Sequence, residues 1–295
     1  MTADSDIPVV AVLGSVNMDL VTTTRRRPEP GETLLGTDFT TVAGGKGANQ
    51  AIAARRCGAD VRFLGAVGAD TFGVELTAAL RDSSLDVKLL RSEPGPSGVA
   101  SIVVDEAGEN SIIVVAGANS RMTELSRAEL DAIAEADILL CQLEIPLETV
   151  AVAARHARHN STTVVLNPSP VQRLPADMWT NIDVAVVNSG EHEKLGSDLD
   201  MVDHVVITRG GDGAEYRGRD GARLSRPSPK ITVVDTTGAG DAFTGALAAT
   251  WHKGPEFAMS WAVAAGSLAT TTLGASSSLP TESAVAELLR RERDT

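Results

Sequence analysis

Val9–Leu13 is an unbroken apolar run closed by Gly14, and it predicts a buried strand. Leu20–Thr24 and Leu34–Val42 predict further strands. Between them lies Arg-Arg-Arg-Pro-Glu-Pro-Gly at 25–31, whose basic run reads as a solvated turn given the Pro and Gly that follow. Gly47–Cys57 is rich in alanine and helical in character, stopping at Gly58. Val61–Val67 reads as a strand and Phe72–Leu80 as a helix. Val99–Val104 and Ser111–Val115, separated by Asp-Glu-Ala-Gly-Glu-Asn, predict a hairpin. Further on, Ile138–Leu143, Thr163–Leu166, Val184–Val187 and Val205–Ile207 predict strands. Leu147–Arg158 is a helix between the first two, and Glu282–Arg290 is a surface helix.

That alternation predicts an α/β fold: a mostly parallel sheet covered by helices on both faces, in one domain spanning 1–295. The β-rich pieces around 15–43 and 97–117 stand outside the alternation. They predict a small sheet projecting from the main body.

Composition narrows the chemistry. Of 295 residues, 43% are hydrophobic, enough for a large core. Aromatic residues are only 3%, so base-stacking platforms are scarce. The net charge of −13 would repel a phosphate-rich polymer, which argues against nucleic acid as a partner. A small anion can still bind through local backbone donors. Cys57 and Cys141 lie in apolar contexts without C-x-x-C spacing and read as reduced thiols of a cytoplasmic protein. Met1–Asp6 is short and acidic, unlike a signal peptide, and no apolar run reaches the ~20 residues of a membrane span.

Four stretches carry candidate chemistry. Asp235-Thr-Thr-Gly238-Ala239-Gly240-Asp241 precedes a run with apolar Phe243, Leu247 and Trp251. A Gly-rich turn opening a helix offers unsatisfied N–H groups and the positive end of the helix dipole, an arrangement that binds phosphate. Asp241 in the first turn is then either a cap or a catalyst, and the stretch alone leaves both open. It is neither a Walker A loop nor a G-x-G-x-x-G fingerprint. Ala43-Gly-Gly45-Lys46-Gly47-Ala48-Asn49-Gln-Ala51 lets a ligand approach the backbone, with Lys46 and Asn49 offering donors to hydroxyls; its plainer reading is a turn before a helix. Gly14-Ser-Val-Asn17-Met18-Asp19 follows the first strand, where ligands of α/β sheets bind, though an Asx turn explains it equally. Gln142-Leu-Glu144 ends another strand, and Glu144 either accepts hydroxyl hydrogens or stabilises a helix start. Two weaker stretches, Asn188-Ser-Gly-Glu191 and Thr208-Arg209-Gly210-Gly211-Asp212-Gly213, follow strands as well; the second has the form to wrap a nucleotide, and either reads equally as an ordinary turn. The histidines at 156, 159, 192, 204 and 252 form no zinc-ligand spacing, and no G-x-S-x-G elbow is present.

Taken in order, Asn17-Met-Asp19, Gly44–Ala51, Gln142-Leu-Glu144, Asn188-x-x-Glu191 and Asp235–Asp241 resemble the ribokinase-like (PfkB) carbohydrate kinase family, from Val9 to about Pro280. The resemblance implies a three-layer α/β core with a small β-sheet lid over a sugar. It also implies transfer of the ATP γ-phosphoryl to the 5-hydroxyl of D-ribose. Asn17, Met18, Asp19, Gly45, Lys46, Gly47, Ala48, Asn49 and Glu144 would surround the sugar. Asp241 would be the base, with Gly238, Ala239 and Gly240 forming an anion hole. Asn188 and Thr208–Gly213 would contact ATP, and Glu191 would act on Mg2+ through water. Asp235, Thr237, Ala269, Thr272, Gly274 and Ser278 would hold K+, largely through carbonyls. The lid would pair in a homodimer. Two departures stand out: Val263 replaces a histidine that lies near adenine in some members, and the interval from Asn188 to Thr208 is short and expected to lack a helix. The alternatives are a related kinase acting on deoxyribose, a nucleoside such as adenosine, or fructose, and a non-enzymatic sugar-binding regulator or interaction module.

Overall fold

The structure, a computed structural model, describes residues 7–293, so the acidic start Met1–Asp6 lies outside the described residues. The chain order is β1 (Val9–Leu13), β2 (Asn17–Thr23), β3 (Asp38–Gly44), α1 (Lys46–Arg56), β4 (Asp60–Gly68), α2 (Thr71–Asp82), β5 (Leu90–Glu93), β6 (Gly98–Val104) and β7 (Asn110–Val115). There follow α3 (Arg127–Ala134), β8 (Ile138–Cys141), α4 (Leu147–His159), β9 (Thr163–Leu166), α5 (Ala176–Trp179), β10 (Val184–Asn188), α6 (Ser189–Leu195) and β11 (His204–Thr208). The last elements are β12 (Ala214–Gly218), β13 (Arg223–Arg226), α7 (Ala239–Thr250), α8 (Pro255–Ala269), α9 (Ala275–Ser278) and α10 (Glu282–Arg293).

Nine strands form the main sheet in the order β13-β12-β11-β10-β9-β8-β1-β4-β5. From β11 to β5 neighbouring strands run parallel, and β12 and β13 add an antiparallel edge. Apolar side chains alternate between the two faces, as strand geometry requires. Val10 and Val12 join a core with Ala51 of α1, Leu76 of α2, Leu247 of α7 and Met259 of α8. Ala11 and Leu13 join a second core with Ile133 of α3, Val150 of α4 and Trp179 of α5. Strands buried on both faces explain why β1, β8 and β10 read as continuous apolar runs. Both cysteines are buried free thiols, and no helix among the described residues is long and apolar enough to cross a membrane.

The second sheet has the order β3-β2-β6-β7. It contains the expected hairpin, β6 antiparallel to β7. The predicted strand at Leu34–Val42 is displaced: pairing with β2 begins only at Asp38 and continues to Gly44. Residues 34–37 carry the apolar Leu34 and Leu35 but no ladder, and Leu35 is exposed. A second correction concerns the interval 188–208. It contains α6 and a 3₁₀ turn, Gly196–Met201. A reciprocal capping box starts α6: Asn188 Oδ1 accepts from Glu191 N, and Glu191 Oε2 accepts from Asn188 N, each at 2.8 Å. The two caps make a helix possible where hydrophobic periodicity is too brief to announce it.

Alpha-helical packing also sets the site. Helix α7 is built from small residues, and at Gly245 an added side-chain carbon would lie 2.5 Å from the Gln50 carbonyl oxygen. The bare glycine lets the α7 backbone press against α1, which brings Asp241 to the residues at the start of α1.

Candidate active site

The parallel strands β1, β8, β9, β10 and β11 all end on one side, and Ser15, Gln142–Glu144, Asn167, Asn188 and Thr208 sit at those ends. This is where an open α/β sheet has room for ligands. Helix α7 opens toward the same place. Gly238 takes a left-handed conformation, φ 79°, and Asp241 is the third residue of the helix. The backbone N–H groups of Gly240 and Asp241 find no acceptor among the described residues, whereas Ala239 N donates to Thr236 O and Ala242 N to Gly238 O. Two unsatisfied donors at a helix start thus belong to residues that line a cavity, an arrangement suited to an anion.

Asp241 is only 8% exposed. Its Oδ2 accepts from Asn49 Nδ2 at 3.0 Å and its Oδ1 from Gln50 Nε2 at 2.9 Å. Burial pushes its pKa above the ordinary carboxylate value, with Glu144 adding to the rise; Lys46 and the two amides oppose it. Asp19 is pushed up to about 7, by burial first and then by Glu144 and Asp241. Burial works against the charge of Lys46, but Asp241, Glu144 and Glu191 outweigh it and hold the ammonium above its usual pKa. Three carboxylates and an ammonium therefore share one enclosed space, a concentration of polar groups that a folded core does not need.

Glu144 Oε2 accepts from Ser15 Oγ at 2.5 Å and from Lys46 N at 3.1 Å. Asn17 Oδ1 accepts from Asn119 Nδ2 at 2.7 Å, and Asn119 also bridges the Val16 backbone, fixing the first residues of β2. Asn49 Oδ1 is buried with no partner among the described residues. Buried acceptors are ordinarily satisfied, so this oxygen has capacity left to accept from a donor. Not every residue singled out in this region faces it. Met18 and Ala48 lie in the apolar core. Gly47 serves close packing, since a side-chain carbon there would lie 2.5 Å from Ser15 N.

Beside Asp241 lies a small cavity of about 140 Å³ lined by Lys46, Asn167, Asn188, Glu191, Gly240 and Asp241. It adjoins a trough of about 800 Å³, which shares Asn188, Thr208 and Gly240 with it and runs out along Arg209–Gly211, Gly213, Lys230, Phe243 and Val263. Asp212 does not line the trough, and Arg209 is drawn aside into an ion pair with Glu215. The volume falls in the range of small-molecule sites.

Behind α7, Asp235 Oδ1 accepts from Thr237 N and Oγ1, at 2.9 and 2.7 Å, and its Oδ2 from Gly274 N at 2.8 Å. Burial works against the Asp235 charge, but these donors lower its pKa overall. The carbonyls of Ala269, Thr272 and Gly274 accept no hydrogen bond from the described residues outside regular helices. Ser278 Oγ turns back to Ala275 O. The donor set here is carbonyl and carboxylate oxygen, suited to a hard monovalent cation. Among the described residues no group of three or more His, Cys, Asp and Glu is placed to hold a metal ion.

Sequence reading assigned no role to Ser15, Gln50, Asn119 or Asn167. Ser15 and Gln50 stand inside motifs, and a glutamine amid alanines in an apolar helix is itself a signal. Asn119 acts 102 positions away from Asn17, and nothing local marks it.

The fold agrees with comparison to known proteins. The pattern of pfkB family carbohydrate kinases matches residues 8–282. The chain is 38% identical over 293 residues to a ribokinase of Bacillus subtilis, covering 95% of this chain and 99% of that one. It is 34% identical over 293 residues to a deoxyribokinase of Salmonella typhi, covering 92% and 95%. The structure of an Arabidopsis thaliana ribokinase complexed with ribose and ATP matches with a TM-score of 0.89 and 30% identity, covering 96% of this chain and 99% of that one. The chain belongs to the pfkB family of carbohydrate kinases.

Proposed function

We propose that the chain transfers the γ-phosphoryl group of ATP to the 5-hydroxyl of D-ribose, giving ribose 5-phosphate and ADP. One observation carries this reading. Asp241 stands beside a polar cluster of Asp19, Lys46, Asn49 and Glu144 and at the open N–H groups at the head of α7, with both its oxygens held. The relatives named ribokinase, and a matching structure with ribose and ATP bound, support the choice of substrates.

In this reading Asn17, Asp19, Gly45, Lys46, Asn49 and Glu144 hold ribose hydroxyls, and Asn49 Oδ1 accepts one of them. Asp241 takes the proton of the 5-hydroxyl as its oxygen bonds to phosphorus. The bond from phosphorus to the bridging oxygen breaks, and ADP leaves with the electron pair. Phosphoryl transfer of this kind depends on positioning and charge stabilisation. The N–H groups of Gly240 and Asp241, with the Lys46 ammonium, stabilise charge on the transferred group. The trough takes the nucleotide along Asn188, Thr208 and Gly213, with the phosphates toward Gly238–Gly240.

Glu191 fits a magnesium role through water: one of its oxygens is committed to the α6 cap, and its side chain lines the small cavity with Asp241. Bound there, the ion would neutralise phosphate charge. Asp235, Thr237, Ala269, Thr272, Gly274 and Ser278 would hold potassium. The small sheet is a lid that closes over the sugar and excludes water as a competing acceptor. Its two opposite edge strands are apolar at the surface, β7 exposing Ile113 at 70% and β3 exposing Phe39 at 61%, which supports a homodimer formed through the lid. Small sugar and ATP as substrates fit a cytoplasmic enzyme.

The test is ATP-dependent ADP release across ribose, 2-deoxyribose, fructose and adenosine. Ribose should have the highest kcat/KM. A higher value for another acceptor would replace the substrate, and no release with any would overturn the kinase reading.

A further inference from the structure

We propose that Gln50 is a positioning residue for phosphoryl transfer: a one-way chain of buried amides, anchored on the main chain, holds its N–H against Asp241 before substrate arrives. This rests on the reading of Asp241 as base.

Gln50 and Gln142 are both 0% exposed, and Asn167 is 9% exposed. The direction of the chain follows from hydrogen-bond chemistry. The Val186 carbonyl can only accept, so Asn167 must turn its Nδ2 to it, at 2.9 Å. Asn167 Oδ1 then faces Gln50 Nε2 at 3.1 Å. Gln50 Nε2 meets a second oxygen, Asp241 Oδ1, at 2.9 Å, so both of its N–H groups are used. Its Oε1 consequently accepts from Gln142 Nε2 at 2.7 Å. Turning the Gln50 amide over would set its carbonyl against two oxygens and its N–H groups against the Gln142 N–H. The surroundings admit one orientation.

The chain has room because of Gly14. A side-chain carbon on Gly14 would collide with Gln142 Oε1, which ends the chain buried and without a partner among the described residues. Gln50 comes from α1, Gln142 from the end of β8, Asn167 from the end of β9, and the Val186 anchor lies within β10. Four elements thus fix one carboxylate oxygen. Asn49, which holds the other, also faces the sugar site through its unpartnered Oδ1. Its grip is shared with substrate, whereas that of Gln50 is independent of it. Fixing a catalytic group in advance lowers the barrier to reaction without adding to substrate affinity.

The experiment measures kcat and both KM values for Gln50→Met, Gln142→Met and the double variant, with the best sugar of the panel and melting curves alongside. Gln50→Met should lower kcat about 100-fold, the loss that a displacement near 1 Å produces, with KM for sugar and ATP within about threefold. Gln142→Met should lower kcat about three- to tenfold, and the double variant should be no slower than Gln50→Met, because the two act in series. A folded Gln50→Met with wild-type kcat, a matching rise in sugar KM, or losses that multiply in the double variant would overturn the proposal. If Gln50→Met does not fold, Gln142→Met decides: a kcat loss at constant KM supports the chain, and an unchanged kcat overturns it. Asp241→Asn is assayed in parallel. Wild-type turnover there sinks the base reading itself, whereas loss there beside full activity in Gln50→Met sinks this inference alone.

Discussion

Ala275 lies directly against Gly238: a side-chain carbon added to Gly238 would sit 2.8 Å from Ala275 Cα. The turn that opens α7 is thereby seated on α9, whose preceding residue Gly274 donates to Asp235. The loop assigned to potassium and the cradle assigned to phosphate are one packed unit. Gly238→Ala meets both this contact and the cost of φ 79°, about 1 kcal/mol or more, so it should lower the melting temperature by several degrees as well as kcat. Gly240 is the counterpart, because nothing lies within 4 Å of an added carbon there. Gly240→Ala should leave the melting temperature unchanged and reduce kcat/KM for ATP about tenfold or more, since the open space is where the phosphate must lie. Thermal melts and steady-state kinetics on the pair check this; equal melting temperatures for the two variants would contradict it.

Asp19 gives a pH dependence with a definite sign. Its pKa is about 7 in the fold against an ordinary 3.8. Between those values the folded state keeps a proton that the unfolded chain has lost. This group's contribution to stability therefore falls as pH rises from about 4 to about 7, and stays level above that. Asp19→Asn removes the titration. The variant should melt higher than wild type at pH 8, with the gap narrowing as pH falls below about 7 and closing only near pH 4. A gap that does not vary with pH would show that Asp19 is not held protonated by its surroundings. In the same variant, affinity for sugar should drop, because an acceptor of hydroxyl hydrogens is lost.

The motifs at strand ends were legible because their spacing is local: Asn17, Asp19, Lys46, Asn49, Glu144 and Asp241 do converge on one region. The central strands were legible because burial on both faces leaves an unbroken apolar run. What the sequence hid is non-local. Asn167 reaches Gln50 across 117 positions, and Asn119 has no motif around it. The edge strands β12 and β13 alternate polar and apolar residues too briefly to separate from a turn. Leu34 and Leu35 misled the strand assignment because an apolar pair without a ladder partner is no strand. Helix α6 is hard to see in the sequence because its capping pair, Asn188 and Glu191, reads equally as an ordinary turn or as ligand contacts.

Potassium should raise the rate, and Asp235 should be needed for the response. Asp235→Ala removes the acceptor for Gly274 N, Thr237 N and Thr237 Oγ1. The variant should show lower kcat and no difference between potassium and sodium buffers. Initial rates at matched ionic strength measure this. Equal rates of the folded wild type in the two buffers would contradict the cation assignment.

The open β7 edge of the small sheet should pair two copies. Light scattering should give twice the mass of the chain, and Ile113→Lys should return the monomer by placing charge on an exposed apolar strand. A wild-type monomer at micromolar concentration would contradict the lid interface.

The central claim is that Asp241 deprotonates a sugar hydroxyl beside bound ATP. ADP release with ribose, measured for wild type and Asp241→Ala together with ATP binding by calorimetry, tests it most directly. The account predicts ribose-dependent turnover in wild type, a loss of at least about 10³-fold in Asp241→Ala, and ATP affinity within a few fold of wild type. Near-normal kcat in the variant would contradict it.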